Sequence, residues 1–161
     1  EMSKTDEHPA ILSVFGGKIT TYRKLAEQAS EQLSQVLAKD TSGWTHSSYL
    51  PGGNIERGDF EEFIRTFRGH YPWLPERLSR HYARNYGTRA FELLGEANAL
   101  EDLGRCFGDG LYEAEVRYLV RTEWAQTAAD ILWRRTKWGL RLSRVQGDHL
   151  ATWLTKNLSC H

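Results

Sequence analysis

A change in hydrophobic period near residue 16 is the feature that most constrains the fold of this chain. Ile11, Leu12, Val14 and Phe15 form a short apolar run that ends at a pair of glycines, as in a buried β-strand. From Tyr22 onward, apolar residues recur at the i, i+3, i+4 and i+7 spacing of one helical face. The sequence therefore predicts one strand, a tight corner and then a helix.

The corner combines features that suit an anion-binding site. The first turn of a helix leaves backbone N–H groups without partners and carries partial positive charge. Gly16 and Gly17 allow a ligand to come close, Lys18 adds a full charge, and Thr20 and Thr21 offer hydroxyl groups. The competing interpretation is an ordinary tight turn with a solvated lysine, and Gly-Gly-Lys by itself favours that interpretation.

The rest of the chain predicts a mainly α protein, a compact bundle of about six helices preceded by one short strand. The helix predicted at Leu111–Arg121 has a broad apolar surface, which implies that it lies centrally. The predicted helices are Thr20–Ala38, a helix from Asp59 to Gly69, one with Pro75 in its first turn that ends at Gly87, Ala90–Leu94, the central helix Leu111–Arg121, a helix started by a capping box at Thr127, and a final helix capped by Ser143.

Further side chains are predicted to be buried by these helices. Trp44 and Tyr49 are expected to pack the connection after the first helix, and Leu100, Leu103 and Phe107 to fill the core from a loop. For the last helix, the predicted buried side consists of Val145, Leu150, Trp153, Leu154 and Leu158.

The strand at residues 10–15 has no second strand-like segment of similar quality to pair with. Single strands are not stable by themselves, so we expect the rest of its sheet to be missing from this chain. Residues 1–18 are then expected to be poorly ordered or paired with another copy of the chain.

Composition excludes several classes of function. Lysine plus arginine equals aspartate plus glutamate at 21 each, so no overall charge favours nucleic acid. Cys106 and Cys160 have neither the number of a disulfide framework nor the spacing of a zinc site, so we expect no metal and a reduced, cytosolic setting. No apolar run approaches the roughly 20 residues needed to span a bilayer, which predicts a soluble chain.

A second glycine pair, in Leu50-Pro51-Gly52-Gly53, allows two interpretations. A phosphate-binding loop would need a strand before it and a basic helical turn after it, and neither is evident. A proline–glycine loop without a ligand is favoured.

A basic segment, residues 131–144, interleaves five cationic side chains with two tryptophans. It could lie on an anionic membrane surface or stack on single-stranded nucleic acid. We favour a structural role in which Arg134 and Arg135 bridge helices through forked hydrogen bonds to carboxylates.

Residues 16–26, Gly-Gly-Lys-Ile-Thr-Thr-Tyr-Arg-Lys-Leu-Ala, resemble the second signature of the FAD-dependent glycerol-3-phosphate dehydrogenases. The resemblance covers essentially the whole chain, is closest to the bacterial aerobic form, and concerns only the C-terminal third of that enzyme. Its further segments are Leu50–Gly53, Arg80–Arg84, Tyr86–Gly87, Tyr112–Glu115 and Leu132–Lys137.

The resemblance implies two parts in this chain. Residues 1–18 would belong to an upstream FAD domain, which carries the G-x-G-x-x-G fingerprint, and residues 19–161 would form the all-α C-terminal domain. The family oxidises sn-glycerol 3-phosphate to dihydroxyacetone phosphate and passes electrons through FAD to quinone. Its bacterial members are homodimers, cytoplasmic and peripheral to the inner face of the cell membrane.

The resemblance also implies a set of site residues. The Gly-Gly-Lys corner would lie at the N1–C2=O edge of the flavin, and Lys18 would be adjacent to the substrate. Three arginines outside this corner are candidates for domain interfaces. The general base lies upstream, so the isolated chain is expected to be inactive and not to hold FAD. The alternative is a non-catalytic helical module for dimerisation, membrane-surface or partner binding. The cofactor-binding candidates are Gly16, Gly17, Lys18, Ile19 and Thr20, and the interface candidates are Arg23, Arg134 and Arg135.

Overall fold

The structure, a computed structural model, describes residues 2–5, 8–15, 17–39 and 43–158. The chain divides into two compact units, Glu1–Tyr49 and Leu50–His161. This division lies well after the predicted boundary at residue 18, because the first long helix belongs to the first unit. The assignment of residues 1–18 to an upstream FAD domain stays a prediction.

The first unit opens with a β-hairpin. Strand β1 (Met2–Thr5) pairs antiparallel with β2 (His8–Leu12), with Met2 opposite Leu12. The expectation of a strand without a partner in the same molecule is therefore wrong. The short polar segment Met2–Thr5 gave no apolar signal, but an edge strand needs only backbone hydrogen bonds to pair. The predicted strand also ends early, and Val14 and Phe15 beyond it are exposed.

The first helix follows the corner. A 3₁₀ turn at Ile19–Thr21 leads into α1 (Tyr22–Leu37), which ends at Ala38 in a left-handed conformation. This confirms the predicted helix to within two residues at each end. None of its residues is buried, although its apolar side chains lie at helical spacing. Trp44 and Tyr49, predicted to pack beside it, are 65% and 70% exposed, so that prediction is wrong.

The second unit contains five α-helices among the described residues, and the mainly α prediction is confirmed. Asp59 caps the first of them by accepting a 3.0 Å hydrogen bond from the Glu62 amide. Ser143 caps the last, as predicted: its hydroxyl accepts the Gln146 amide at 3.3 Å, and Gln146 Oε1 in turn accepts the Ser143 amide at 2.8 Å. The helices are α2 (Phe60–His70), α3 (Glu76–Tyr86), α4 (Ala90–Leu94), α5 (Glu113–Glu123) and α6 (Arg144–Leu158).

Aromatic side chains form much of the core of this unit. Phe67 of α2 packs edge-to-face on Phe91 with ring centroids 5.2 Å apart, and Tyr86 of α3 packs on Tyr118 of α5 at 5.3 Å. Such pairs add stability beyond the apolar area that they bury. Four residues of α5 are buried, Glu115, Val116, Tyr118 and Leu119, but α3 has five buried residues, so the central role of α5 stays a prediction.

A second hairpin lies where the sequence suggested only a loop. Strand β3 (Cys106–Gly108) pairs antiparallel with β4 (Leu111–Tyr112). The turn between them is Asp109-Gly110, both with positive φ, as two-residue hairpins require. Because Leu111 and Tyr112 are in this strand, α5 begins two residues later than predicted. Phe107 lies in β3 and is buried as expected.

The last helix buries part of its predicted apolar side. In α6, Leu150, Trp153 and Leu154 are buried as predicted, whereas Val145 is 61% exposed because it lies in the first turn, on the solvent side. The side chain of Leu158 lies outside the described residues. None of the described helices is both long and apolar enough to cross a membrane.

The Gly52-Gly53 loop is explained by a close approach of two backbones. Thr88 donates its amide to the Gly52 carbonyl at 3.0 Å. A Cβ on Gly52 would lie 2.3 Å from the Tyr86 carbonyl oxygen, and a Cβ on Gly87 would lie 2.0 Å from the Gly52 oxygen. Both glycines have positive φ. The loop thus has a packing role, in agreement with the favoured interpretation.

Candidate functional site

The predicted corner is a 3₁₀ turn with an extended residue before it. Lys18 adopts φ −84° and ψ 138°, and the first hydrogen bond of the turn runs from the Thr21 amide to the Lys18 carbonyl at 3.0 Å. The amides of Ile19 and Thr20 therefore lie ahead of the first intrahelical bond and have no acceptor within the turn. Gly17 has φ +138°, a conformation that favours glycine. Gly16 lies outside the described residues.

The corner is open to solvent. Gly17, Lys18, Ile19 and Thr20 are all exposed, and the Ile19 side chain is 87% exposed. Neither the position before the 3₁₀ turn nor the one before α1 makes a side-chain cap; Thr21 Oγ1 instead donates to the Lys18 carbonyl at 3.1 Å. These amides and the Lys18 ammonium fit an electron-rich group, which is the chemistry of a flavin carbonyl edge or a phosphate.

Arg23, one turn into α1, pairs within its own helix. Its Nη1 lies 2.5 Å from Glu27 Oε1, which also accepts a 2.6 Å hydrogen bond from Thr45 Oγ1. The Thr45 hydroxyl, followed by Lys24 and Arg23, lowers the pKa of Glu27 to about 2. Glu27 thus ties α1 to the segment after it. The role of Arg23 at a domain interface stays a prediction.

Arg134 has a local partner. It lies in a π-helical turn, Asp130–Arg135, where its Nη1 is 2.8 Å from Asp130 Oδ1. Asp130 accepts the Thr127 amide at 2.9 Å and donates its own amide to Thr127 Oγ1 at 3.2 Å, which confirms the predicted capping box. The Thr127 hydroxyl also donates to the Asp130 carboxylate at 2.9 Å. The bonds from the Thr127 amide and hydroxyl are the main reason that the pKa of Asp130 falls to about 2.

Arg135 does bridge two elements, but not through a carboxylate. Its Nε donates to the backbone carbonyl of Glu123, at the end of α5, at 2.6 Å. The predicted forked pairing of both arginines with carboxylates of other helices is therefore wrong. The cause is local geometry: Arg134 reaches an acid one turn away in its own element, and Arg135 reaches the unpaired carbonyls of a helix C-terminus.

A buried carboxylate, which sequence reasoning missed, organises the second unit. Glu115 has no solvent exposure and accepts hydrogen bonds from His81 Nε2 at 2.7 Å, Tyr86 OH at 2.6 Å and Trp138 Nε1 at 3.2 Å. Burial, followed by the Glu115 charge, raises the pKa of Tyr86. The signal in the sequence was an acid between two apolar residues, Ala114 and Val116, of a predicted buried helix.

Comparison with known proteins agrees with the resemblance seen in the sequence. The family described as the C-terminal domain of alpha-glycerophosphate oxidase matches residues 43–153. The chain is 50% identical over 146 residues to the aerobic glycerol-3-phosphate dehydrogenase of Escherichia coli strain K12, covering 91% of this chain and 29% of that protein. It is 48% identical over 143 residues to the D-erythritol 1-phosphate dehydrogenase of Brucella abortus strain 2308, covering 89% and 28%.

A third relative is the glycerol-3-phosphate dehydrogenase of Pseudomonas aeruginosa, 46% identical over 153 residues, which cover 95% of this chain and 30% of that protein. The chain thus spans less than a third of the length of these relatives. The matched family region contains the whole of α2 to α5 and the Glu115 cluster. The chain belongs to the family of C-terminal domains of alpha-glycerophosphate oxidase.

Proposed function

We propose that this chain is the C-terminal part of a flavoprotein that oxidises sn-glycerol 3-phosphate to dihydroxyacetone phosphate. The observation that supports this most strongly is the 50% identity to an aerobic glycerol-3-phosphate dehydrogenase over 91% of the chain. In the longer protein, FAD would accept the hydride from the substrate and pass electrons to quinone. The isolated chain lacks the upstream domains and would be inactive.

The corner is the part of the flavin site that this chain would contribute. Negative charge develops at the N1–C2=O edge of the flavin when it is reduced, and a helix N-terminus stabilises charge there. The amides of Ile19 and Thr20 would donate to this edge, and Lys18 would supply positive charge. Gly16 and Gly17 would let the backbone approach the ring. The exposed Lys18 and the amides ahead of the first helical bond support this role.

A second substrate is supported by one specific observation. The D-erythritol 1-phosphate dehydrogenase is similar to this chain to nearly the same degree as the glycerol-3-phosphate dehydrogenase, at 48% against 50% identity. Both names describe oxidation of a polyol phosphate. Because the groups that contact the polyol would lie upstream, the substrate proposal covers both, with sn-glycerol 3-phosphate first.

Homodimerisation and attachment to the inner face of the cell membrane are also part of the proposal, in line with the resemblance to the bacterial aerobic enzymes. Arg23, Arg134 and Arg135 are the residues proposed at domain interfaces. Arg134 and Arg135 are exposed even though each makes one local contact, which leaves their remaining donors accessible.

The test uses the longer protein that contains this chain. Purified without added cofactor, it should carry about one FAD per chain. The visible absorbance of the oxidised flavin should bleach anaerobically on addition of sn-glycerol 3-phosphate. D-erythritol 1-phosphate is the second substrate in the same assay. A protein that binds no flavin, or one bleached by neither compound, would contradict the proposal and would favour a non-catalytic partner-binding module.

A further inference from the structure

A groove in the second unit carries a concentration of positive charge that the proposed oxidation does not use. One wall is a single face of α3, where Arg77, Arg80 and Arg84 recur at helical spacing. The opposite wall is the connection after the π-helical turn. The groove has a volume of about 720 Å³, within the range of small-molecule sites. Its lining residues are Arg77, Arg80, His81, Arg84, Asn85, Arg135, Thr136, Lys137, Trp138 and Arg141.

The positive charge in this basic groove exceeds the negative charge that neutralises it. Six of the ten lining side chains are cationic and none is acidic. Two carboxylates in the described part of the chain form ion pairs with them. Asp109 pairs with Arg77 at 2.6 Å and with Arg141 at 3.3 Å, and Glu76 pairs with Arg80 at 3.6 Å.

The other three cations contact no carboxylate within residues 43–158. Arg84 lies over the Phe60 ring at 5.9 Å, Arg135 donates to the Glu123 carbonyl and Lys137 donates to the Trp133 carbonyl. Each of these three cationic side chains has more N–H donors than its one contact uses. A surplus of directed donors facing one concavity is the arrangement that binds a multiply charged oxyanion.

The side chains that form the floor of the groove are held in place by buried hydrogen bonds. His81 and Trp138 line it, and both are hydrogen-bonded to the buried Glu115. Thr136 is buried and its hydroxyl donates to the Ile131 carbonyl at 2.6 Å, while the Trp138 amide donates to the same hydroxyl at 3.3 Å. A rigid floor lowers the entropy lost when a ligand binds. The floor of the groove is thus pre-organised.

We propose that the basic groove binds a phosphate-bearing anion. A phosphate group carries up to two charges and accepts forked hydrogen bonds from guanidinium groups, which matches three arginine or lysine side chains without carboxylate partners. The volume is large enough for an organic phosphate or a lipid headgroup. The flavin chemistry proposed above does not require this site, although Arg135 is shared with the proposed domain interface. Flavin reduction and anion binding are therefore measured, and can fail, separately.

The experiment measures binding to the 161-residue chain at fixed ionic strength. Pyrophosphate, titrated calorimetrically, probes a free phosphate. Flotation with phosphatidylglycerol vesicles, against phosphatidylcholine vesicles, probes a headgroup. The variant Arg84→Ala with Arg135→Ala should weaken binding of at least one probe by tenfold or more. The matched control, Arg65→Ala with Arg121→Ala, removes the same charge from exposed sites outside the groove and should change binding less than twofold.

Binding of pyrophosphate would indicate a free phosphate compound, and binding of phosphatidylglycerol vesicles would indicate a lipid headgroup. Either result, if it is lost in the groove variant, supports the site. The circular dichroism spectrum and thermal midpoint of each variant are compared with those of the unsubstituted chain. If the alanine variant unfolds, the double variant Arg84→Gln with Lys137→Gln replaces it. Three results would overturn the proposal: binding of neither probe, equal loss in the groove and control variants, or tighter binding of a hexaglutamate peptide than of pyrophosphate. The last would indicate an acidic protein partner.

Discussion

The hydroxyl group of Tyr86 donates a 2.6 Å hydrogen bond to the carboxylate of Glu115, and both side chains are buried. This pair connects α3 to α5, and the same carboxylate also binds His81 and Trp138. A buried charge is tolerated only when donors replace its hydration, and here three donors do so. The cluster therefore links the packing of the helices to the floor of the basic groove.

Replacing the carboxylate tests this cluster. Glu115→Gln substitutes an NH₂ group for one oxygen and leaves one buried donor without an acceptor, so we expect the free energy of unfolding to fall by about 2–4 kcal/mol. Urea denaturation followed by circular dichroism measures it. The control Glu92→Gln alters an exposed acid 3.4 Å from Arg121 and should change stability by less than about 0.5 kcal/mol. Equal effects of the two variants would contradict the role given to Glu115.

Two neighbouring tyrosines of α3 give a matched comparison. Tyr86→Phe removes a hydrogen bond to a buried carboxylate and should lower the free energy of unfolding by about 1.5–3 kcal/mol. The Tyr82 hydroxyl is buried and has no partner in the part of the chain that the structure describes. Tyr82→Phe should therefore leave stability unchanged or raise it slightly. A larger loss for Tyr82→Phe than for Tyr86→Phe would show that the hydrogen-bond assignment is wrong.

The close approach at Gly52 predicts a strong effect of one methyl group. Gly52→Ala places Cβ 2.3 Å from a backbone oxygen at a positive φ, so we expect a loss of at least about 2 kcal/mol in unfolding free energy. Gly69→Ala is the control, since a Cβ in that helical position meets nothing within 4 Å and should stabilise by up to about 1 kcal/mol. Thermal unfolding of both variants separates the two outcomes.

The capping box before the π-helical turn predicts a pH dependence. Hydrogen bonds from Thr127 hold the pKa of Asp130 at about 2 in the folded chain, below its ordinary value of 3.8. Since the folded pKa is the lower one, this stabilisation is complete above about pH 4 and is lost as the pH falls through 2. Thr127→Ala should raise the Asp130 pKa in a carboxyl NMR titration, because the hydroxyl bond is lost. The control Thr152→Ala, whose hydroxyl donates to a carbonyl, should leave it near 2.

Local signals in the sequence predicted most of the helices. The Thr127 and Ser143 starts are read from cap chemistry that acts within one helical turn, and the structure confirms them. The start near Pro75 is confirmed to within one residue, since Pro75 directly precedes α3. The helix from Asp59 was predicted from apolar spacing and is α2. Ala90–Leu94 is found at its predicted bounds. Such features depend on neighbours three or four residues away, which the sequence shows directly.

The features that were not predicted are mostly contacts between residues distant in sequence. The pairing of Met2–Thr5 with β2 has no apolar signature, and the Asp109-Gly110 turn was not recognised as a hairpin signal. Three hydrogen bonds converge on Glu115 from residues 23 to 34 positions away, and no local pattern encodes that meeting. Of the predicted site, the sequence correctly indicated the turn at Lys18 but not the partners of Arg23, Arg134 and Arg135.

The central claim is that the corner around Lys18 forms one edge of a flavin site in the longer protein. The most direct measurement compares Lys18→Ala with Lys39→Ala in that protein, by FAD content and by the rate of flavin reduction with sn-glycerol 3-phosphate. Both lysines lie in the described first unit, but only Lys18 precedes the helical turn. We expect Lys18→Ala to lower flavin retention or turnover at least tenfold and Lys39→Ala to have little effect. Near-normal flavin content and turnover in both variants would contradict the account.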